Sequence, residues 1–263
     1  MFEIKSLFPY YGSKRALVKD IEDESKESNG KIDTFVDVFG GSGTVSLNIP
    51  EKINAKKIVY NDKDKRLADT MTAIGNPDLR NSAIDMLKKM PLDKDKFEQA
   101  RYDEGFLNYP DENAANVLYL AATSFNNDMK SYRKDKNKST QLINSTIKHI
   151  NDNGKDVEKW KVENGDFRDI IPKYDSSKTL LYLDPPYLKG GKVYNNSFTY
   201  DDLKDLKEQV DDSNSNYILS ESEADIPEVK ELFGNPTKII PHKAFTHGKS
   251  WQKNEAIWKS FVF

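Results

Sequence analysis

Cysteine is absent from the 263-residue chain. That absence excludes a disulfide framework, a cysteinyl zinc site and a cysteine nucleophile together. A charge excess is missing as well: 40 Lys and Arg stand against 43 Asp and Glu, a formal charge of −3. The chain is therefore no global polycation, and any hold on nucleic acid must be local. No apolar run approaches the roughly 20 residues that cross a bilayer. Residues 1–14 show neither the basic start nor the apolar run and small-residue cleavage site of a secretory signal. His149, His242 and His247 lack zinc-ligand spacing. Together these absences predict a soluble, cytoplasmic protein with no membrane partner and no resident metal.

What is present supports a folded enzyme-sized unit. Hydrophobic residues at 37% fill an ordinary core, while 32% charged residues imply a heavily solvated surface. The length fits one large α/β domain, or one domain carrying an insertion. Residues 13–28 carry the apolar stripe Ala16, Leu17, Val18 and Ile21 of a helix. A short β-branched and aromatic strand, 34–39, runs into Gly40-Gly41-Ser42-Gly43, after which Thr44–Asn48 opens a helix. A second strand at 57–60 and a helix at 65–74 complete a βαβ unit.

From Gly75 to Lys159 the chain is far longer than a parallel crossover needs. It reads as an inserted, mainly helical subdomain, with helices at 79–90, 94–102 and 114–125 before a polar, basic stretch at 128–138. Strands return at 180–183, 217–220 and 238–240, separated by helices near 203–210 and 228–233. A closing strand, possible as an antiparallel one, spans 256–263. The alternation predicts a doubly wound, mostly parallel Rossmann-like sheet. Residues 1–74 and 160–263 form its main domain and 75–159 the insertion.

Two loops at strand ends carry chemistry. Phe39-Gly40-Gly41-Ser42-Gly43 follows a strand and precedes a helix, where glycines admit a ligand close to the backbone. Asp62, nineteen residues beyond Gly43, ends the next strand, where nucleoside-binding units place an acid for ribose hydroxyls. A tight structural turn beside an exposed acid fits the same residues. The loop lacks the full dinucleotide spacing, and no Walker-type Gly-Lys-Ser/Thr follows.

Asp184-Pro185-Pro186-Tyr187 directly follows the apolar strand 180–183. Two prolines fix the backbone and remove two N–H donors. The corner therefore presents a carboxylate and bare carbonyls, acceptors aimed at a donor such as the exocyclic amine of a base. Tyr187 adds a flat face for stacking.

These motifs, in this order, resemble those of the Dam-like DNA N6-adenine methyltransferases. The loop at Phe39, Gly40, Gly41, Ser42 and Gly43, entered through Asp37, is similar to the family's S-adenosylmethionine loop. Asp62 resembles its ribose acid, Gly165-Asp166-Phe167 its segment for the cofactor's adenine, and Asp184–Tyr187 its catalytic motif. Tyr10-Tyr11-Gly12-Ser13-Lys14 is similar to the lysine-bearing segment that helps hold the cofactor. The resemblance implies S-adenosylmethionine as cofactor, double-stranded DNA as partner and the central insertion as the target-recognition part. It leaves a cognate restriction enzyme possible and the oligomeric state open.

Ser124-Phe125-Asn126-Asn127-Asp128-Met129 resembles the family's Phe-Asn-Gly segment without its glycine. The Asn-Pro elements of GATC-specific members are missing, so the recognition sequence stays open. Lys130, Arg133, Lys134, Lys136 and Lys138 place five cations in nine residues around Tyr132, a pattern suited to tracking phosphates though also to a merely solvated face, and the resemblance implies Asn126 as a further DNA contact. A second basic group, His242, Lys243, His247, Lys249 and Lys253, is expected in a loop before the last strand. Phe8, Tyr10, Tyr11 and Phe198 either line the cofactor or base pocket or, as aromatics at such positions more often do, pack in the core, and Trp160, Trp251 and Trp258 read as packing residues.

The mechanism implied starts with extrusion of the target base from the helix. Asp184 and the Pro185 carbonyl accept the two amine hydrogens, Pro186 stiffens the corner and Tyr187 stacks on the base. No metal and no covalent enzyme intermediate is needed, and an ordinary ionised Asp184 suffices. The same acceptors serve the N4 amine of cytosine, and a catalytically inactive DNA-binding relative would share the motifs.

Overall fold

The computed structural model describes residues 4–28, 31–102, 108–188, 198–222, 226–246 and 249–261, with the backbone alone for 242–246 and 249–253. A 3-10 turn at Lys14–Leu17 leads into α1 (Val18–Lys26), followed by β1 (Thr34–Asp37), α2 (Thr44–Asn48), β2 (Lys57–Asn61) and α3 (Lys65–Ile74). A helical run comes next: α4 (Pro77–Lys89), α5 (Lys94–Tyr102), α6 (Pro110–Thr123), a 3-10 turn at Phe125–Asn127 and α7 (Lys136–Val157). The remainder alternates as β3 (Trp160–Glu163), α8 (Phe167–Lys173), β4 (Thr179–Leu183), α9 (Tyr200–Asp212), β5 (Asn216–Ser222) and α10 (Ile226–Phe233), then closes with β6 (Lys238–Thr246) and β7 (Lys249–Lys259).

The seven strands form one sheet in the order β3-β2-β1-β4-β5-β7-β6. β1 to β5 are mutually parallel, and β7 runs antiparallel between β5 and β6. The mostly parallel doubly wound sheet is thus the one the sequence predicts. From β1 the chain moves outward to β2 and β3, then returns to place β4 on the other side of β1. The order reverses there, and the crevice beyond the carboxyl ends of β1 and β4 is where such sheets bind ligands.

Side-chain alternation along the parallel strands divides the core. Val36, Leu181, Leu183 and Leu219 pack with α8, α9 and α10 on one face. Phe35, Leu180, Tyr182 and Ile218 pack with Leu17, Val18, Ile21 and Val45 on the other. Above β2 and β3 a third cluster joins Tyr60, Leu67, Met71 and Trp160 to Val117, Leu118, Leu120 and Ile150. The helices between residues 77 and 157 therefore share a core with α3. α6 is their axis: it is buried on almost every side, and its alanines admit the neighbouring helices closely.

Several boundaries differ from the sequence reading. β1 ends at Asp37 rather than at residue 39, because Val38 and Phe39 turn out of the sheet into the glycine loop. The predicted helix 13–28 splits into a 3-10 turn and α1. β3, α8 and the long α7 are elements the sequence reading did not anticipate. The expected loop at 242–253 is corrected most: its described backbone forms the β6–β7 hairpin, with His242 opposite Lys253 and Lys243 opposite Gln252. His247 and the side chains of the other four basic residues lie outside the described residues, as does that of Trp251.

Candidate active site

The glycine loop is shaped by the neighbouring strand. Gly40 N–H donates to the Asn61 carbonyl at 2.8 Å, and Gly43 N–H returns to the Gly40 carbonyl at 2.9 Å. Gly41 and Gly43 adopt φ of 51° and 70°, a region glycine enters without steric cost. Gly40 has a different reason: a Cβ there would stand 2.2 Å from Tyr60 Cε2. The Tyr60 ring is fully buried and stacked on Trp160 with centroids 5.8 Å apart, and its hydroxyl donates to the Gly41 carbonyl at 2.7 Å. Trp160, read as a core residue, thus supports the loop from below.

Acids gather around that loop. Asp62 accepts from Gly41 N–H at 2.9 Å and Asp64 N–H at 2.8 Å, while burial pushes its carboxyl up to about 6. Asp37, at the end of β1, accepts from Ser46 Oγ at 2.7 Å through Oδ2. Its Oδ1 is buried with no hydrogen-bond partner. Burial first, then the nearby Asp184 and Asp62, lift the Asp37 carboxyl to about 7.

The Asp184 corner lies across the crevice. Lys14 Nζ is 2.7 Å from Asp184 Oδ1, with side-chain exposures of 7% and 16%. The same ammonium donates to Tyr187 Oη at 3.0 Å and to the Gly12 carbonyl at 3.3 Å. Ser220 Oγ, 2.8 Å from the Tyr182 hydroxyl, reaches Asp184 Oδ1 at 3.3 Å. Burial raises the Asp184 carboxyl, with Lys14 opposing the rise. The carboxylate is therefore not the ordinary one the sequence suggested. Lys14 is itself buried, yet its carboxylate neighbours hold its pKa well above the usual lysine value.

The far end of the cleft is aromatic. Phe39 lies 5.8 Å from Phe167 and 6.0 Å from Phe198, ring centre to ring centre. Asp166 caps α8 by accepting from Arg168 N–H at 3.1 Å and pairs with Lys63 at 2.7 Å. The Arg168 guanidinium covers the Phe167 ring at 4.3 Å.

The glycine loop, the three acids, the Asp184 corner and the aromatic end open on one cleft of about 1170 Å³, its mouth included. Tyr10, Lys14, Asp37, Phe39, Gly40, Gly41, Ser42, Asp62, Asp166, Phe167, Asp184, Pro185, Pro186 and Tyr187 line it. Gly43 does not, since it faces Trp160 and Met71 at the start of α2. Tyr11 and Phe198 line the cleft, the less favoured of the two places the sequence left them, whereas Phe8 is buried against Tyr10. Ser220, Tyr182 and Ser46 support the acids, and no sequence motif marked them.

The basic residues stand apart from the cleft walls. Lys134, Lys136 and Lys138 are exposed, the last two in the first turn of α7. Arg133 is engaged differently, donating from its guanidinium to the Ser124 carbonyl at 2.7 Å. Asn126 is exposed, in a left-handed conformation with φ of 52°. Its neighbour Asn127 accepts from Tyr11 N–H at 3.2 Å, which ties this turn to the mouth of the cleft.

The family model described as D12 class N6 adenine-specific DNA methyltransferase matches residues 10–247. The chain belongs to this family. A protein of Haemophilus influenzae described as "Putative methyltransferase" is 28% identical to this methyltransferase over 227 residues, 81% of this chain and 74% of that protein. Type II methyltransferase M.MjaIII of Methanocaldococcus jannaschii is 25% identical over 219 residues, 75% of this chain and 73% of the relative. Among solved structures, the rRNA methyltransferase aviRa of Streptomyces viridochromogenes superposes at a TM-score of 0.42 with 11% identity, over 96% of this chain and 86% of that one. No helix among the described residues of the methyltransferase is long and apolar enough to cross a membrane.

Proposed function

We propose that this member of the adenine-N6 DNA methyltransferase family binds S-adenosylmethionine along the glycine loop and methylates an adenine rotated out of duplex DNA at the Asp184–Tyr187 corner. The cleft suits a cationic cofactor. Asp37 offers a buried oxygen without a partner, and Asp37, Asp62 and Asp184 together outnumber Lys14, the buried cation of the corner. Asp62 would receive the ribose hydroxyls, and the packed rings of Phe39, Phe167 and Phe198 would form an apolar wall beside the adenine ring. Tyr10 and Lys14 would close the side facing the N-terminal segment. When bound, the cofactor supplies an electrophilic methyl group on a sulfonium.

The chain's own part in the reaction is to hold the amine. The Asp184 carboxylate and the Pro185 carbonyl accept its two hydrogens, which turns the nitrogen lone pair toward the methyl group as positive charge develops on the nitrogen. Pro186 keeps the corner rigid. Tyr187 forms the wall for stacking, worth about 1–3 kcal/mol against the few kcal/mol of unstacking. Lys14 and Ser220 bind Oδ1 of Asp184, so that carboxylate presents its other oxygen.

The segment 75–159 would contact the duplex through Asn126, Lys130, Lys134, Lys136 and Lys138, with Arg133 bracing the turn that carries them. A cytoplasmic setting and a cognate restriction endonuclease belong to the same proposal, the latter because M.MjaIII bears the name of a type II methyltransferase. The observation that carries the reading is that the acceptor corner and the acid-lined glycine loop open on one cleft. Labelled methyl transfer to unmethylated DNA tests it, with the product digested to nucleosides. N6-methyldeoxyadenosine from wild type and none from Asp184→Ala, with cofactor binding kept, is the expected result. N4-methyldeoxycytidine alone, or full activity in Asp184→Ala, would overturn it.

A further inference from the structure

The reversed strand β7 brings one acid to the back of the catalytic corner. Glu255 pairs in register with Ser222 of β5, two residues beyond the Ser220 that supports Asp184. It is only 3% exposed. Its two oxygens lie 3.5 and 3.4 Å from the Tyr187 hydroxyl. A carboxylate so deeply placed is costly to keep unless a charge or donor needs it, and here both do. Lys14 carries one positive charge between two acids, Asp184 and Glu255, and both raise its proton affinity.

The hydrogen-bond directions are fixed by the chemistry of the groups. Lys14 has three N–H donors and three acceptors: Asp184 Oδ1, Tyr187 Oη and the Gly12 carbonyl. Tyr187 Oη therefore accepts from Lys14, and its own proton points to Glu255. With its hydroxyl engaged as acceptor and donor, the Tyr187 ring cannot swing about Cα–Cβ without losing both bonds. The ring is thereby held as a wall of the cleft, one residue from Pro186 and above the Lys14 ammonium, which lies 5.1 Å from its centre.

We propose that Glu255 is a positioning residue for methyl transfer: through the Tyr187 hydroxyl it fixes the plane of the ring against which the extruded base is held. The inference rests on the assignment of Asp184–Tyr187 as the corner that receives the base. Glu255 touches neither base nor cofactor, and its effect passes through Tyr187. The two distances of 3.4 and 3.5 Å are long for an O–H···O bond and are expected to shorten when the base fills the corner.

The experiment uses the full chain, S-adenosylmethionine carrying a labelled methyl group, and plasmid DNA from a host without DNA methylation. Wild type, Glu255→Met, Tyr187→Phe and the double variant are compared for kcat, for KM of each substrate and for Tm. Glu255→Met, which keeps the length of the side chain but offers the hydroxyl no oxygen acceptor, is expected to lower kcat by about ten- to a hundredfold, with KM for S-adenosylmethionine and Tm unchanged. Tyr187→Phe loses the same hydroxyl from the other side. If Glu255 acts through it, the double variant is no slower than the slower single variant, because the two changes remove one interaction. Wild-type kcat in Glu255→Met would overturn the inference, as would losses that multiply in the double variant or a kcat loss matched by a fall in Tm. A wild-type protein that transferred no methyl group would instead remove the function on which the inference depends.

Discussion

Lys14 Nζ stands 2.7 Å from Asp184 Oδ1, and the two residues are 170 positions apart in sequence. The pair joins the N-terminal segment to the end of β4 and decides the charge of the corner. Burial drives the Asp184 carboxyl upward while the ammonium opposes it. Removing the ammonium in Lys14→Met therefore raises Asp184 further. An acceptor carboxylate is needed for amine alignment, so the acid limb of the rate profile should move to higher pH, by about 1–3 units. Single-turnover transfer measured from pH 5 to pH 10 reads this directly. Activity recovered at alkaline pH supports the role, and a loss equal at every pH counts against it. Breaking a buried pair also leaves a charge uncompensated, at about 3–5 kcal/mol. The Tm deficit of Lys14→Met should thus grow with pH as Asp184 ionises.

If the cofactor binds beside Asp37 as proposed, its binding should depend on pH. The Asp37 carboxyl sits at about 7 in the cofactor-free protein, against 3.8 for an unperturbed group. A bound cation favours the ionised form, so a proton competes with the cofactor. Affinity for S-adenosylmethionine should fall about tenfold per unit below pH 7 and level off above it. Calorimetry at several pH values, in two buffers of different ionisation enthalpy, should show proton release on binding. A pH-independent Kd would remove Asp37 from the cationic part of the site.

The same group destabilises the empty enzyme in a defined direction. Because the folded state raises its pKa, its contribution to stability is fully present below 3.8 and is lost as pH rises through about 7. About three units at roughly 1.4 kcal/mol each set an upper bound on the order of 4 kcal/mol. Asp37→Asn should therefore raise the Tm of the cofactor-free protein at pH 8, with the gain vanishing toward pH 4. A gain that persisted at pH 4 would assign the effect to packing rather than to charge.

The parts of the fold that were legible in the sequence are those whose residues face a core on both sides. β1, β2 and β4 are short apolar runs closed by Gly40, Asn61 and Asp184, and each appears within two residues of its expected place. β3 was hidden because Lys161 and Glu163 alternate with Trp160 and Val162 at the sheet edge, where one strand partner suffices. α7 was hidden because its buried stripe is thin: Ser139, Ile143, Thr146, Ile150 and Val157 sit among lysines, asparagines and aspartates. The motif acids were readable as residues, but their pairing was not. Lys14 meets Asp184 because the N-terminal segment folds across the end of β4, and Glu255 meets Tyr187 because the reversed β7 pairs with β5. No local spacing encodes those pairings.

Gly40 tests whether the loop is set by Tyr60. A methyl group at Gly40 would lie 2.2 Å from Tyr60 Cε2 and 2.5 Å from Cδ2. The ring is held by Trp160 and by its own hydrogen bond to Gly41, so the loop must yield instead. Overpacking of this kind costs about 1–3 kcal/mol. Gly40→Ala should lower Tm and weaken S-adenosylmethionine binding, and Tyr60→Leu in the same chain should restore part of both. Thermal unfolding with and without cofactor measures the two effects. Unaltered binding in Gly40→Ala would show that the loop conformation does not depend on the Tyr60 ring.

The basic residues before and within α7 divide into two roles. Arg133 braces the turn through the Ser124 carbonyl, whereas Lys134, Lys136 and Lys138 are exposed and have no ion pair among the described residues. Lys136 and Lys138 lie in the first turn of α7, the positive end of a 22-residue helix, where cations are disfavoured. A phosphate drawn into that place would relieve the repulsion. Changing the three lysines to glutamine should therefore raise Tm slightly at low salt while weakening DNA binding. The salt dependence of binding should flatten by about 0.9 for each phosphate that is no longer neutralised. Arg133→Ala should instead lower Tm, because the turn loses its brace. Titrating duplex DNA at several salt concentrations separates the cases, and an unchanged slope in the triple variant would route the duplex past another surface.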